Sequence, residues 1–194
     1  MAVLALVGCV LYAVVLFGLR ELVAATGGWA RAATRLEWVA NRLVFAAWLL
    51  SMLGPALALA GVLERVATLD VGAAHAAGLV LLCSSLAGAI VAQARMGSAW
   101  RTGIDPAHPS GLVMTGLFAH VRNPVYTTMI GVALGAALLV PTAAGAVAIA
   151  ACVAGLQIQT RLVEEPHLRA LHGARYERYA ARAGRFLPRI GRLG

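Results

Sequence analysis

Residues 125–140, VYTTMIGVALGAALLV, and residues 142–158, TAAGAVAIAACVAGLQI, carry no formally charged side chain and are separated by Pro141 alone. A single helix through both would far overshoot a hydrocarbon core of roughly 30 Å, which about 20 residues suffice to cross. Pro141 also lacks the N–H that a continuous helix would use there. The stretch therefore reads as two membrane-crossing helices joined by a tight turn. Working outward, comparable apolar runs lie at residues 2–19, 43–63 and 71–94. The chain is 61% hydrophobic and 12% charged, with a mean hydropathy of +0.82, which a soluble domain of 194 residues could not hide from water. The expected fold is an all-α integral membrane protein with about five transmembrane helices.

The basic residues set the expected orientation. All 16 are arginine. With the N-terminus outside, the inward segments hold Arg20, Arg31, Arg35 and Arg42, then Arg95, Arg101 and Arg122, then Arg161 through Arg192, and Arg65 alone lies outward. The net charge of +8 is thus explained by topology, and no nucleic-acid partner is called for. No basic residue precedes the first run, so it reads as an uncleaved span rather than a secretory signal. Abundant Ala and Arg without Lys point to GC-rich coding and a bacterial plasma membrane, with the C-terminus cytosolic. Cys9, Cys83 and Cys152 fall within spans as small packing residues, and the five histidines show no metal-ligand spacing. Residues 20–42, which mix Trp, Leu and Arg, are expected to lie on the membrane surface as an amphipathic helix.

The chain reads as one membrane domain of two parts, residues 1–94 with three spans and residues 95–194 with everything polar enough for chemistry. Residues 95–123 contain four glycines, Pro106, Pro109 and Ser110, which is loop composition, and long loops in compact proteins tend to be functional. After the last span comes the pair Glu164-Glu165, followed by Pro166, which is expected to break the helix and start a surface helix running to about Arg182. Adjacent carboxylates at the end of an apolar helix are costly without cations nearby. Arg122 and Arg161 are the expected partners, because the turn at Pro141 should bring both arginines and both glutamates to one end of the hairpin. A salt-bridged staple would use these groups structurally. A binding site would use them around a ligand of mixed charge.

The pattern Leu112-Val113-x-Thr115-Gly116-x-Phe118-x-x-x-Arg122-Asn123-Pro124-x-Tyr126, then Glu164-Glu165-x-x-Leu168, Gly173-x-x-Tyr176-x-x-Tyr179 and Arg185-Phe186-x-Pro188 resembles the isoprenylcysteine carboxyl methyltransferases and their phospholipid-methyltransferase relatives. The likeness covers roughly residues 100–188. It implies a pocket for S-adenosylmethionine formed by the loop and the last two spans and closed by a C-terminal amphipathic helix. The cofactor-binding residues it implies are Ser110, Gly111, Leu112, Val113, Gly116, Phe118, Asn123, Pro124, Val125, Tyr126 and Glu164. The chain departs from the family in having Asn123 where His is usual, Phe118 where Tyr is common, and Thr160, with Arg161 beside it, where the substrate-binding arginine usually stands.

The residue types suit that ligand. A sulfonium, an ammonium and a carboxylate call for acidic and hydrogen-bonding groups beside an aromatic wall. For a lipophilic carboxylate acceptor, Arg161 or Arg122 would orient the acid and no base is needed; for an amine, Glu165 would take the proton. Two other readings share part of the signal. Membrane sterol and steroid reductases carry a similar Arg-x-Pro-x-Tyr element that binds NADPH, and a non-catalytic scaffold would use the charged hairpin only as a staple. Gly131-x-x-x-Gly135 permits close helix packing within one subunit or between two, so the oligomeric state stays open.

Overall fold

The computed structural model describes residues 1–18, 34–96 and 111–193. Ser110, Arg20, Arg31 and most of the expected surface helix lie outside the described residues. Among the described residues every regular element is helical, with two isolated β-bridges and no strand. Helix α1 spans Ala2–Ala13 and widens into a π turn at Val14–Gly18. Next come α2, Arg35–Leu59, and α3, Gly72–Met96. A 3-10 turn at Gly116–Ala119 precedes α4, Pro124–Leu139, and α5, Ala143–Ile158. A second π turn, Gln159–Glu164, leads into α6, Glu165–His172, and α7, Ala174–Ala180, follows. Among the described residues three helical stretches, Arg35–Leu59, Gly72–Met96 and Ala143–His172, are long and apolar enough to cross a membrane; Ala2–Gly18 and Pro124–Leu139 are apolar but shorter.

Local chemistry explains the helix starts. The hydroxyl of Thr34 accepts from Glu37 N at 3.1 Å, a Thr-x-x-Glu start. Residues 35–42 therefore form the first two turns of α2 instead of the surface helix expected there. Pro124 opens α4 at a position where its missing N–H is harmless. Pro141 sits in the turn between α4 and α5, and Thr142 Oγ1 caps α5 by accepting from Gly145 N at 3.2 Å, so the hairpin is formed as its sequence suggests.

A new α-helical segment does begin at Glu165, as Pro166 suggests, but the chain does not leave the helix there. The chain widens into the π turn and continues helically to His172, with Pro166 entering as an early residue of the new α-helical turn. Proline is tolerated at that place, and single π turns inside helices recur at functional sites. The helix stops instead at Gly173, whose φ of 49° suits glycine.

Helix α3 packs along α4, α2 along α5, and α1 against α2 and α4. The first pair is very close. A Cβ on Gly135 would stand 2.9 Å from the carbonyl of Gly78, and one on Gly131 would stand 2.2 Å from Ser85 Oγ. The Gly131-x-x-x-Gly135 face is therefore used inside the subunit. Cys9 and Cys152 are buried as expected, whereas Cys83 faces outward from α3.

Two hydrogen bonds fix the sense of the bundle. Val66 N donates to Pro141 O at 2.8 Å, tying the α2–α3 connection to the hairpin turn at one end. Tyr12 OH and Thr128 Oγ1 share a 2.8 Å bond near the other end, where α3 stops, α4 starts and the tail folds back. The N-terminus lies at the turn end, and the polar C-terminal region lies at the opposite, site end.

Candidate functional site

The site end is assembled around Arg122, the last residue but one before α4. Its Nη1 donates to Ala180 O at 2.9 Å and Ala183 O at 2.5 Å. Its Nη2 donates to Glu165 Oε1 at 2.8 Å and Gly191 O at 3.0 Å. Glu165 also receives Arg185, from Nε to Oε1 at 2.8 Å and from Nη2 to Oε2 at 3.0 Å. The three side chains are buried, at 7%, 5% and 8% exposure for Arg122, Glu165 and Arg185. The carboxylate raises the Arg185 guanidinium above its already high pKa, so the group stays charged. Two guanidiniums and one carboxylate leave one net positive charge, and the excess is spread over backbone carbonyls, as buried charges demand, although Arg122 Nε has no partner among the described residues.

The tail is stitched to the same place through its backbone. Gly184 N donates to His120 O at 2.9 Å, Arg122 N to Gly184 O at 2.8 Å and Asn123 N to Arg185 O at 3.1 Å. Asn123 Nδ2 also donates to Arg185 O at 3.1 Å, and Thr127 Oγ1 to Phe186 O at 2.6 Å. The tail packs back in extended form, held by a parallel bridge between Val121 and Gly184. No room exists for a side chain at Gly184, where a Cβ would stand 1.9 Å from Leu187 O. Tyr179 OH closes the outer layer by donating to Phe118 O at 2.7 Å. Burial raises the Tyr179 phenol, and it pushes Tyr176 up to about 12, so both phenols stay protonated across the physiological range.

The second acidic residue turns elsewhere, since neighbouring side chains on a helix diverge by about 100°. Glu164 Oε1 accepts a short hydrogen bond from Tyr126 OH and another from Gln159 Nε2 at 3.2 Å. Around this cluster Gln159 Oε1 and Thr160 Oγ1 are buried polar atoms without a partner among the described residues. Glu37 joins them from α2. It is 2% exposed and close enough to Glu164 and Tyr126 to interact electrostatically with both. The antiparallel packing that sets Ala47 against Cys152 carries the first turn of α2 to the π turn. Glu37 was not singled out in the sequence, where it is hidden among arginines; its signal is a lone carboxylate at the start of an apolar helix.

The structure thus separates the groups expected to meet. Arg122 and Glu165 pair, and Glu164 pairs with Tyr126. Arg161 does not join either carboxylate: it is exposed and lines a cavity of about 450 Å³ beside the tail. The missing partner is Arg185, which sequence reasoning placed only in the tail pattern. Of the other expected pocket residues, Val113, Phe118 and Val125 pack in the core with α1 and α3, while Leu112 packs against the Tyr176–Tyr179 layer. Pro124 is buried at the start of α4. Gly116, with φ 63°, lies against Arg95, and a Cβ on Gly111 would meet nothing within 4 Å among the described residues.

A family model described as phospholipid methyltransferase matches residues 73–175, more than half of the chain. The chain belongs to the phospholipid methyltransferase family. Membership implies methyltransferase activity at a membrane and, with the apolar helices, makes this an integral membrane protein. The match runs from α3 through the acidic pair into α7. It favours a methyl-transfer site over the nicotinamide-binding alternative for the Arg-x-Pro-x-Tyr element. Comparison with curated proteins and with solved structures gave no match.

Proposed function

We propose that the protein transfers a methyl group from S-adenosylmethionine to a lipophilic acceptor, a carboxylate in preference to an amine, at the cytosolic face of the membrane. The proposal includes five crossings, with the N-terminus outside and the tail inside. The observation that carries it is the partly buried cluster of Tyr126, Glu164 and Gln159, at the site end of the hairpin in a chain of this family.

The residues present fit the methyl donor. It brings a methyl group on a sulfonium, together with an ammonium and a carboxylate. Glu164, with Glu37 behind it, supplies negative charge for the cationic groups, and the orphaned Gln159 Oε1 and Thr160 Oγ1 supply hydrogen bonds. Tyr126 and Asn123 would border the nucleoside, backed by Phe118, Pro124 and Val125 in the core, and Gly111, Leu112, Val113 and Gly116 would lie over it, beneath α6 and α7. Asn123 donates and accepts without titrating, so donor binding through it is insensitive to pH.

A carboxylate acceptor needs little from the protein beyond position. The sulfonium, when bound, would supply the methyl group and keep the C–S electron pair on sulfur, and a carboxylate oxygen would accept the methyl with no proton to remove. Positioning of this kind is worth of order 7–11 kcal/mol in favourable systems. Arg161 is the residue we assign to hold the acid. Arg122 already serves four acceptors, which makes it a positioning residue. Glu165 carries three charge-assisted hydrogen bonds and is a poor proton acceptor in that state, which weighs against the amine branch.

Calorimetry on purified protein tests the reading: S-adenosylhomocysteine should bind with one site per chain, and Glu164→Gln should weaken it by about tenfold or more. Wild-type protein that binds neither S-adenosylmethionine nor S-adenosylhomocysteine contradicts it.

A further inference from the structure

The tail ends in a turn that displays apolar side chains at a cost in backbone conformation. Arg185 N donates to Ile190 O at 2.8 Å and Ile190 N to Leu187 O at 3.2 Å, so residues 187–190 close on themselves with Leu187 bridged to Ile190. The turn holds Arg189 at φ 67°, a region that residues other than glycine rarely enter. Leu187 and Ile190 nevertheless face outward, 51% and 63% exposed. A strained turn that presents a leucine and an isoleucine points to a contact outside the subunit. Both residues border the same depression as Leu134, which is exposed on the outer side of α4. The turn is therefore continuous with the apolar surface of the bundle, and it lies level with Thr127 in the first turn of α4, where the hairpin leaves the hydrocarbon.

Charge surrounds the apolar pair on one side. Arg189 and Arg192 are exposed and make no ion pair among the described residues. Leu193 N donates to Ala180 O at 3.1 Å, which brings Arg192 to the end of α7. There Arg175, Arg178 and Arg182, also exposed, recur at spacings of three and four and form one stripe. Glu177 is the one acid between Pro166 and Leu193, and the 100° step of a helix puts it on the other flank. Guanidiniums bind phosphate oxygens through paired N–H groups. A soluble polyanion would meet the arginines but give no reason to expose Leu187 and Ile190, whereas a membrane surface with acidic headgroups meets both.

We infer that the tail turn is an anchor for acidic phospholipid: Leu187 and Ile190 enter the outer acyl region, and Arg189 and Arg192, with the α7 stripe alongside, hold headgroup phosphates. This lipid is a partner that fixes the tail and not a methyl acceptor, so the inference stands apart from the methyl-transfer reading. Its consequence reaches the site through the backbone. Arg185 and Gly191, on either side of the turn, are both bound into the Arg122–Glu165 cluster, so a lipid surface that steadies the turn steadies the wall of the site as well.

Hydrogen exchange of the peptide covering residues 185–193 tests this in full-length protein, held in nanodiscs of phosphatidylcholine alone or of phosphatidylcholine and phosphatidylglycerol in equal parts. Exchange follows the local opening of the tail and should slow by about fivefold or more with phosphatidylglycerol, the factor that one arginine at an acidic surface contributes. The difference should shrink in about 1 M salt, where the Debye length is about 3 Å. Arg189→Gln combined with Arg192→Gln should erase the phosphatidylglycerol effect and leave exchange in phosphatidylcholine unchanged. Leu187→Ser combined with Ile190→Ser should speed exchange in both membranes, with the thermal midpoint in detergent near wild type. Equal exchange of the wild-type tail in the two membranes, or a phosphatidylglycerol effect that survives the double arginine substitution, would overturn the inference. So would equal protection by soluble heparin added to the phosphatidylcholine nanodiscs, which would make the stripe a polyanion site. S-adenosylhomocysteine binding in phosphatidylcholine nanodiscs is expected whatever the tail does, so the anchor and the methyl-donor site are read separately.

Discussion

The two ends of the helical bundle solve the same problem, turning a chain around at a membrane boundary, with different means. At the turn end, α2 connects to α3 and α4 to α5 through segments that need little more than Pro141, one backbone hydrogen bond from Val66 and a surface cluster in which Asp70 meets His75 at 2.7 Å and Arg65 at 3.5 Å. At the site end, the chain folds a tail back onto α4 and buries two arginines and a glutamate to hold it there. Burying an ion trio is weak evidence for stability as such, since desolvation offsets much of the attraction. Such an expense at one end only is better understood as fixing a shape. The shape it fixes is the wall of the cavity and the position of Asn123, Tyr126 and Glu164.

The largest expected effect comes from breaking that trio. Glu165→Gln leaves two guanidiniums facing each other in a buried place and should destabilise the protein by about 3–5 kcal/mol, read as a lowered thermal midpoint in detergent. A small loss would show that the tail is held by its backbone bonds alone. Next is the α3–α4 crossing, which lies between the two ends. Gly135→Val must push Gly78 O or Leu82 aside and should cost about 1–3 kcal/mol. It separates bundle stability from site integrity, because the thermal midpoint should fall while S-adenosylhomocysteine binding at the site end is kept.

Glu164→Gln sharpens the contrast from the other side. It sits one residue from Glu165, yet it should leave the thermal midpoint within a few degrees of wild type while weakening nucleoside binding. Glu37→Gln should act in the same direction and more weakly, since Glu37 stands behind Glu164. The smallest effect belongs to the turn end. Hydrogen bonding to His75, helped by Arg65, holds the Asp70 carboxyl below its ordinary value. A carboxyl depressed in the folded state contributes stability above its unfolded pKa and loses it as pH falls through the folded one. Asp70→Asn should therefore change the midpoint only slightly at neutral pH, and the difference from wild type should vanish on the acid side of about pH 4. A strong dependence at neutral pH would mean that the turn end is not the passive one.

The apolar stretches and Pro141 made the bundle legible in the sequence, because hydrophobic length and a missing N–H are local properties. The helix starts at Thr34 and Thr142 were similarly local, although charged residues 35–42 disguised the beginning of α2. What escaped was pairwise. Nothing in the sequence tells which of sixteen arginines reaches Glu165, and the nearer candidate in the chain, Arg161, points away into the cavity. The π turn was equally hidden: Pro166 signals a break, and only packing against α2 decides that the helix widens and continues. Glu37 joined the site because antiparallel packing carries it there, which no motif spacing encodes.

The central claim is that the site end holds a methyl donor around Glu164 and Tyr126, and calorimetric titration of S-adenosylhomocysteine into wild-type, Glu164→Gln and Asp70→Asn protein tests it most directly. The account predicts binding at one site per chain in wild-type and Asp70→Asn protein, and binding weakened by about tenfold or more in Glu164→Gln with the fold retained. No binding by the wild type, or equal affinity in all three proteins, would contradict it.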